Sequence, residues 1–354
     1  LVARRKLLSP GPIEVHPDLL REMSVPMFSH RSADYHALHA RVREKLRRLL
    51  LTRSHVFLLT SSGTGAMEAA MRNCVARRVL TCAVGAFGER WHQIAVGNGI
   101  ESELLSVEWG RGLRPEQIEE RLRGGGIDAV AVTHNETSTG VMNRLEEIGS
   151  VVRRFPDVLL MADCVSSLAG ARVEPDAWGV DVVLAGVQKA FGLPPGLAVM
   201  VVGERAMKRA ETIRRRGFYF DLVKFRDADA KDETPETPAL SLVWALDKML
   251  DRALAEGVEA RFERTRRMQQ QCHAWARQRF GLFAEEGYRS VTMTCVANPR
   301  GVDLKKMLAA VGERGFTIAE GYGKLRDQTF RIAHMGDITE ADLKALTEAI
   351  DSVT

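Results

Sequence analysis

From residue 55 to about 202 the chain alternates short apolar runs with longer amphipathic stretches. The runs His55–Thr60, Arg78–Val84, Glu103–Val107, Ile127–Thr133, Val158–Ala162, Asp181–Ala185 and Leu197–Val202 are mostly rich in Val, Leu and Ile. They lack polar alternation, as strands covered on both faces do. Between them, Gly65–Ala76, Phe87–Asn98, Pro115–Arg123 and Leu145–Arg154 space their apolar residues as helices. This repetition predicts an α/β fold, a mostly parallel seven-stranded sheet flanked by helices.

The rhythm changes after Gly203. Ala206–Arg215 still reads as a helix, but Asp227–Pro238 is polar, carries two prolines and predicts a loop and domain hinge. Ala239–Gly257 and Val258–Phe280 read as two long helices. The remainder is α+β: strand Ser290–Ala297, helix Asp303–Arg314, short strand Phe316–Ala319, strand Thr329–Ala333 and a final helix. Thr339-Glu340-Ala341-Asp342 resembles a capping box at the start of that helix.

Composition narrows the function classes. Of 354 residues, 45% are hydrophobic, too many for a disordered chain. The net charge of +4 offers no basic face for nucleic acid or an anionic membrane surface. No apolar run approaches the roughly 18 residues of a membrane span, and Leu1–Lys6 is too short and basic for a secretory signal. Cys74, Cys82, Cys164, Cys272 and Cys295 are scattered without C-x-x-C spacing, so they read as buried reduced thiols in a cytoplasmic protein, with no metal site.

Three positions carry chemistry, each at a strand's carboxyl end, where open α/β sheets bind ligands. Ser61-Ser62-Gly63-Thr64-Gly65 joins a strand to a helix and presents N–H groups suited to phosphate, although a plain tight turn looks the same. Asp163 ends Val158–Ala162 and is equally readable as a site carboxylate or a turn cap. Lys189 follows the strand at Asp181–Ala185, where an unpaired ammonium is costly. It either snorkels to the surface or is a reactive amine. Together they meet the needs of pyridoxal 5'-phosphate: an anion cup, an anion for the ring nitrogen and an amine for the Schiff base.

Over essentially its whole length the sequence resembles the class V aminotransferases of fold type I, within them the alanine–glyoxylate and serine–pyruvate group. Leu8-Ser9-Pro10-Gly11-Pro12 resembles the family's N-terminal signature, and Ser29-His30-Arg31-Ser32 the arm after it. The resemblance implies Ser62, Gly63 and Thr64 for the phosphate, Phe87 of Gly85-Ala86-Phe87-Gly88-Glu89-Arg90 for stacking on the ring, and Thr137 of His134–Gly140 for the phenolic oxygen. Asp163 takes the pyridinium position, Gln188 that of a phosphate ligand, and Lys189 that of the Schiff-base lysine. Arg331 of Phe330-Arg331-Ile332 takes the place of the arginine that holds the substrate carboxylate, with Gly11 on the same substrate side. Some relatives stack tryptophan where this chain has Phe87. Relatives also send a tyrosine and a threonine from the neighbouring subunit to the phosphate; Thr237 fits the second, while the first falls near Thr234.

The resemblance also implies a homodimer with active sites at the interface, an arm (1–16), a large cofactor-binding domain (17–238) and a small C-terminal α+β domain (239–354). The implied reaction is ping-pong transfer of an amino group from a small L-amino acid, serine or alanine, to glyoxylate or pyruvate. The alternatives are a lyase or cysteine desulfurase of the same fold, and a soluble-hydrogenase-associated subunit. Against the first, Gln188 stands where desulfurases have histidine, and Gly321–Arg331 contains no cysteine. Other residues take plain readings: His16, His30, His36, His39 and His55 as surface or turn residues, and Arg214–Arg216 as a solvated helix end. Met23, Met27, Met200 and Met207 read as core fillers, and Trp91 and Trp109 as packing.

Overall fold

The computed structural model describes residues 5–354, so Leu1–Arg4 and their part of the predicted arm lie outside the described residues. The seven apolar runs form one sheet in the order His55–Leu59, Ala198–Val202, Val182–Gly186, Leu159–Asp163, Ala129–Thr133, Arg78–Ala83, Glu101–Ser106. Ala198–Val202 is antiparallel to both neighbours, and the other pairings are parallel.

Side chains alternate across a strand, so each run divides between two cores. Leu160 and Ala162 pack on one face with Val130, Val132, Val183 and Ala185. Leu159 and Met161 pack on the other with Ala129, Ala131, Val182 and Leu184. Both faces are dry, which is why the sequence shows no polar alternation there. Parallel pairing brings the carboxyl ends of five strands to one edge.

A second sheet, of four antiparallel strands, runs Gly281–Leu282, Met293–Ala297, Thr329–Ala333, Ala319–Glu320. The N-terminal arm joins this part: Lys6–Leu7 pairs in parallel with Phe316–Thr317, and the Ala333 amide donates to the Leu8 carbonyl at 2.7 Å. Leu8 and Ile13 belong to its core with Met268, Phe330 and Ile332. Helix Leu240–Glu256 instead packs Val243, Leu246 and Leu250 into the core of the large sheet. The final helix, Glu340–Asp351, opens with the reciprocal Thr339–Asp342 capping box.

Several expectations need correction. Helix Leu222–Asp229 covers the start of the stretch expected to be loop, and Phe316–Ala319 splits into two short strands in different sheets. His39 is buried on helix Ala33–Leu49, which no expectation covered, and its Nε2 lies 2.9 Å from Asp229 Oδ1. His16 caps helix Pro17–Glu22. Met200 and Met207 fill the core, but Met27 is 76% exposed. All five cysteines are buried and free. No helix among the described residues is long and apolar enough to cross a membrane.

Candidate active site

A cavity of about 350 Å³ opens at the carboxyl edge of the large sheet, between it and the four-stranded sheet. Every residue expected to contact substrate or cofactor lines it except Thr237.

Helix Gly63–Cys74 starts at the cavity with Ser62 as its cap, so its first N–H groups face the space. A Cβ on Gly63 would stand 2.6 Å from Val165 Cγ2, so the turn packs directly on the segment after Asp163. Phe87 rides on the first turn of helix Ala86–Gly97. A buried carboxylate fixes it there: Glu136 Oε2 accepts from the Phe87 and Gly88 amides at 3.0 and 2.9 Å. Its Oε1 accepts from the Ser138 amide and hydroxyl at 3.0 and 2.6 Å. Burial raises the Glu136 carboxyl above its ordinary pKa, and these donors oppose the rise.

Lys189 is 7% exposed and donates to Thr137 Oγ1 and Ser166 Oγ, each at 2.8 Å. These two hydroxyls also touch each other. The lysine therefore does not snorkel; it ends inside, and burial holds its pKa below that of a free amine. Asp163 both caps and lines: Oδ1 accepts from the Val165 amide at 2.8 Å, while among the described residues nothing donates to Oδ2. Burial raises its carboxyl, against the Val165 amide and the nearby Lys189 charge.

Arg331 sits mid-strand in the four-stranded sheet, opposite Cys295 and Ala319. Its Nε donates to the Glu320 carbonyl at 3.1 Å and Nη1 to the Thr137 carbonyl at 3.2 Å. Nη2 donates to none of the described residues. Its guanidinium also faces the Tyr322 ring, 5.5 Å from the centroid. Burial lowers its pKa, but arginine remains charged. Gly11 has φ +130, and a Cβ there would come within 2.9 Å of Lys189 Cε, so the arm crosses the lysine where only glycine fits.

Thr237 is exposed and outside this cavity, whereas Thr234 is buried and donates to the Glu236 carbonyl at 2.7 Å. Arg31 ties their loop down through Glu233, Thr234 and Pro235. Sequence reasoning missed Ser166, Arg90 and Tyr322, and gave Glu136 no role. A signal existed for Arg90, three residues after Phe87 on one helical face. For Ser166 and Tyr322 there was none, because turns and the second sheet bring them in.

The donor set fits pyridoxal phosphate: an enclosed primary amine, a carboxylate oxygen free to meet a ring nitrogen, an aromatic wall at Phe87 and helix-end amides for a phosphate. No cysteine lines the cavity, and no group of three or more His, Cys, Asp or Glu among the described residues is arranged to hold a metal ion.

Comparison with known proteins agrees. The chain is 37% identical to an uncharacterized aminotransferase of Methanocaldococcus jannaschii, covering 98% of this chain and 92% of that protein. It is 36% identical to a protein named as the small subunit of a soluble hydrogenase in Synechococcus sp., with the same coverage. Against a serine–glyoxylate aminotransferase of Methylorubrum extorquens it is 33% identical over 96% of this chain and 88% of the other. The solved structure of an alanine–glyoxylate aminotransferase from Nostoc sp. superposes with a TM-score of 0.94 at 29% identity, covering all of this chain and 96% of that one. Residues 21–323 match the family Aminotransferase class-V. With that match and a cavity built for the cofactor, the chain belongs to the class V aminotransferases, and is a pyridoxal phosphate-dependent transaminase of fold type I.

Proposed function

We infer that the protein moves an amino group from a small L-amino acid, serine or alanine, to glyoxylate or pyruvate in two half-reactions on one site. The observation that carries this is the buried Lys189 amine and the Arg331 guanidinium meeting across one cavity, joined through Thr137: its hydroxyl bonds the lysine and its carbonyl the arginine. The names of the relatives from Methylorubrum and Nostoc support the same substrate class.

Pyridoxal phosphate, when bound, supplies the carbonyl that takes up the amino group and the ring that accepts the electrons of the Cα–H bond. The chain supplies the rest. Arg331 Nη2 and its neighbouring N–H pair with the substrate carboxylate and fix the direction of the Cα–H bond. Lys189 Nζ is placed to take that proton as general base and to hold it for return, a task for which a lowered pKa suits it. Asp163 Oδ2, to which none of the described residues donates, would be the anionic partner of the ring nitrogen. Ser62, Gly63, Thr64 and Gln188 would hold the phosphate, Phe87 would wall the ring and Thr137 would offer its hydroxyl to the cofactor.

Thr237 serves the site of a second copy in this reading, which makes the working unit a homodimer. In support, Thr237 is exposed and its loop is pinned by Arg31. Exposed Tyr219 flanks the phosphate turn, its hydroxyl donating to the Thr60 carbonyl at 3.1 Å, and its neighbour Phe218 is exposed too. The division into 1–16, 17–238 and 239–354 belongs to the same reading, although the packing of helix Leu240–Glu256 favours a join nearer Gly257. Five buried free thiols suit a reducing, cytoplasmic setting.

A donor–acceptor matrix tests the substrates. Alanine or serine with glyoxylate or pyruvate should give the fastest turnover; release of sulfur from cysteine as the main activity would favour the lyase instead.

A further inference from the structure

We propose that Arg90 supplies the positive charge for the cofactor's phosphate, acting at the Ser62–Thr64 turn through the Thr64 hydroxyl. The inference rests on the proposed cofactor roles and adds a positioning residue to them.

Four charged side chains line the cavity: Arg90, Asp163, Lys189 and Arg331. Three have counterparts among the reacting groups. Asp163 meets the ring nitrogen, Arg331 the substrate carboxylate, and Lys189 is the amine that attaches. Arg90 is left without one. Among the described residues no carboxylate lies within ion-pair distance of it, and its one hydrogen bond runs from Nη1 to Thr64 Oγ1 at 3.1 Å. A half-buried arginine without an acid partner, beside a turn suited to an anion, is placed to receive negative charge.

The need on the other side is equally plain. A phosphate monoester carries roughly −1.5 to −2 near neutrality. Ser62, Gly63, Thr64 and Gln188 are all uncharged, and a helix N-terminus offers only about half a positive charge. Arg90 removes the shortfall from within the same chain. Its position is set twice, by the Thr64 bond and by the Phe87 ring, whose centroid lies 4.7 Å from the guanidinium carbon. Because Thr64 Oγ1 accepts from Arg90, its own O–H proton is free to donate to a phosphate oxygen. One arginine thereby couples the phosphate turn to the aromatic wall.

The competing role is a second carboxylate site for an acidic donor. Arg331 bonds the Glu320 and Thr137 carbonyls, whereas Arg90 bonds the phosphate turn, and the two share no hydrogen-bond partner. The geometry therefore favours phosphate.

The test titrates apoprotein with pyridoxal phosphate and, separately, with pyridoxal, which lacks the phosphate. Arg90→Gln should weaken pyridoxal phosphate by ~10–100-fold, the range of a charge-assisted hydrogen bond, and leave pyridoxal nearly unchanged. Arg90→Lys should recover part of the loss. If Arg90→Gln fails to fold, Arg90→Lys carries the comparison alone and should weaken pyridoxal phosphate while leaving pyridoxal unchanged. An unchanged ratio of the two affinities overturns the proposal, as does a variant that binds both normally and loses only acidic donors. Wild-type protein that binds neither compound would overturn the cofactor reading itself.

Discussion

The two walls of the cavity are built in different ways. The cofactor wall, with Ser62, Asp163, Gln188 and Lys189, hangs from the carboxyl ends of strands that are buried on both faces. The substrate wall comes from the chain's two ends: Gly11 on the arm, and Ala319, Tyr322 and Arg331 on or beside the four-stranded sheet. They meet at Thr137. The first wall is tied to the largest core, so it can hold a covalently attached group in fixed geometry. The second has its own core, and in the proposed reading it would set which acid is recognised. Damage to the first should fall on chemistry, and damage to the second on substrate affinity.

The sharpest test of that division is Lys189→Ala, which should lower turnover by at least ~10²–10⁴-fold, the usual worth of a general base. Steady-state kinetics would show it, and unchanged turnover would break the comparison at its strongest point. Next is Arg331→Gln, expected to lower kcat/KM for carboxylate donors by ~10–100-fold through a lost charge-assisted pair. Affinity for pyridoxal phosphate should stay put; an equal fall in both would mean the walls are one unit.

Acid should separate the walls more gently. Burial holds His273 and His134 down to about 4 and His334 to about 3, from an ordinary value near 6.5. The unfolded chain therefore binds more protons than the folded one between about pH 6.5 and 4, and stability falls as pH falls through that window. His273 lies on helix Val258–Arg279 and His334 just past strand Thr329–Ala333, both on the substrate side. On the cofactor side His134, just past strand Ala129–Thr133, loses stability in the same way, but Asp163 and Glu136 there have raised values, so the folded form takes up their protons first and offsets that loss on acidification. Hydrogen exchange at pH 5 against pH 7 should show strands Met293–Ala297 and Thr329–Ala333 losing protection before Leu159–Asp163. The smallest effect belongs to Thr339→Ala, about 1 kcal/mol from the lost cap, read by urea unfolding with kcat unchanged.

The same difference explains what was legible beforehand. Strands such as Ala129–Thr133 are unbroken apolar runs, and Asp163 and Lys189 stand out because each interrupts such a run at its end. Helix Leu222–Asp229 escaped notice because it buries little beyond Leu222 and Phe225, and its Asp229 reads as loop until His39 and Arg43 are seen to bond it. Helix Ala33–Leu49 is rich in Arg and His, which hides the Tyr35, Leu38, Val42, Leu46, Leu49 stripe. Arg331 is legible only through the family resemblance, not through a pattern, and Tyr322 and Ser166 only through their proximity in space.

The central claim, amino-group transfer on a cofactor held by Lys189, has a direct measurement. Loaded enzyme receives ¹⁵N-alanine or ¹⁵N-serine without any acceptor, and both products are assayed after a single turnover. The account predicts one 2-oxo acid released per site and the label retained on the cofactor as pyridoxamine phosphate. Label released as ammonia, or no oxo acid at all, would contradict it.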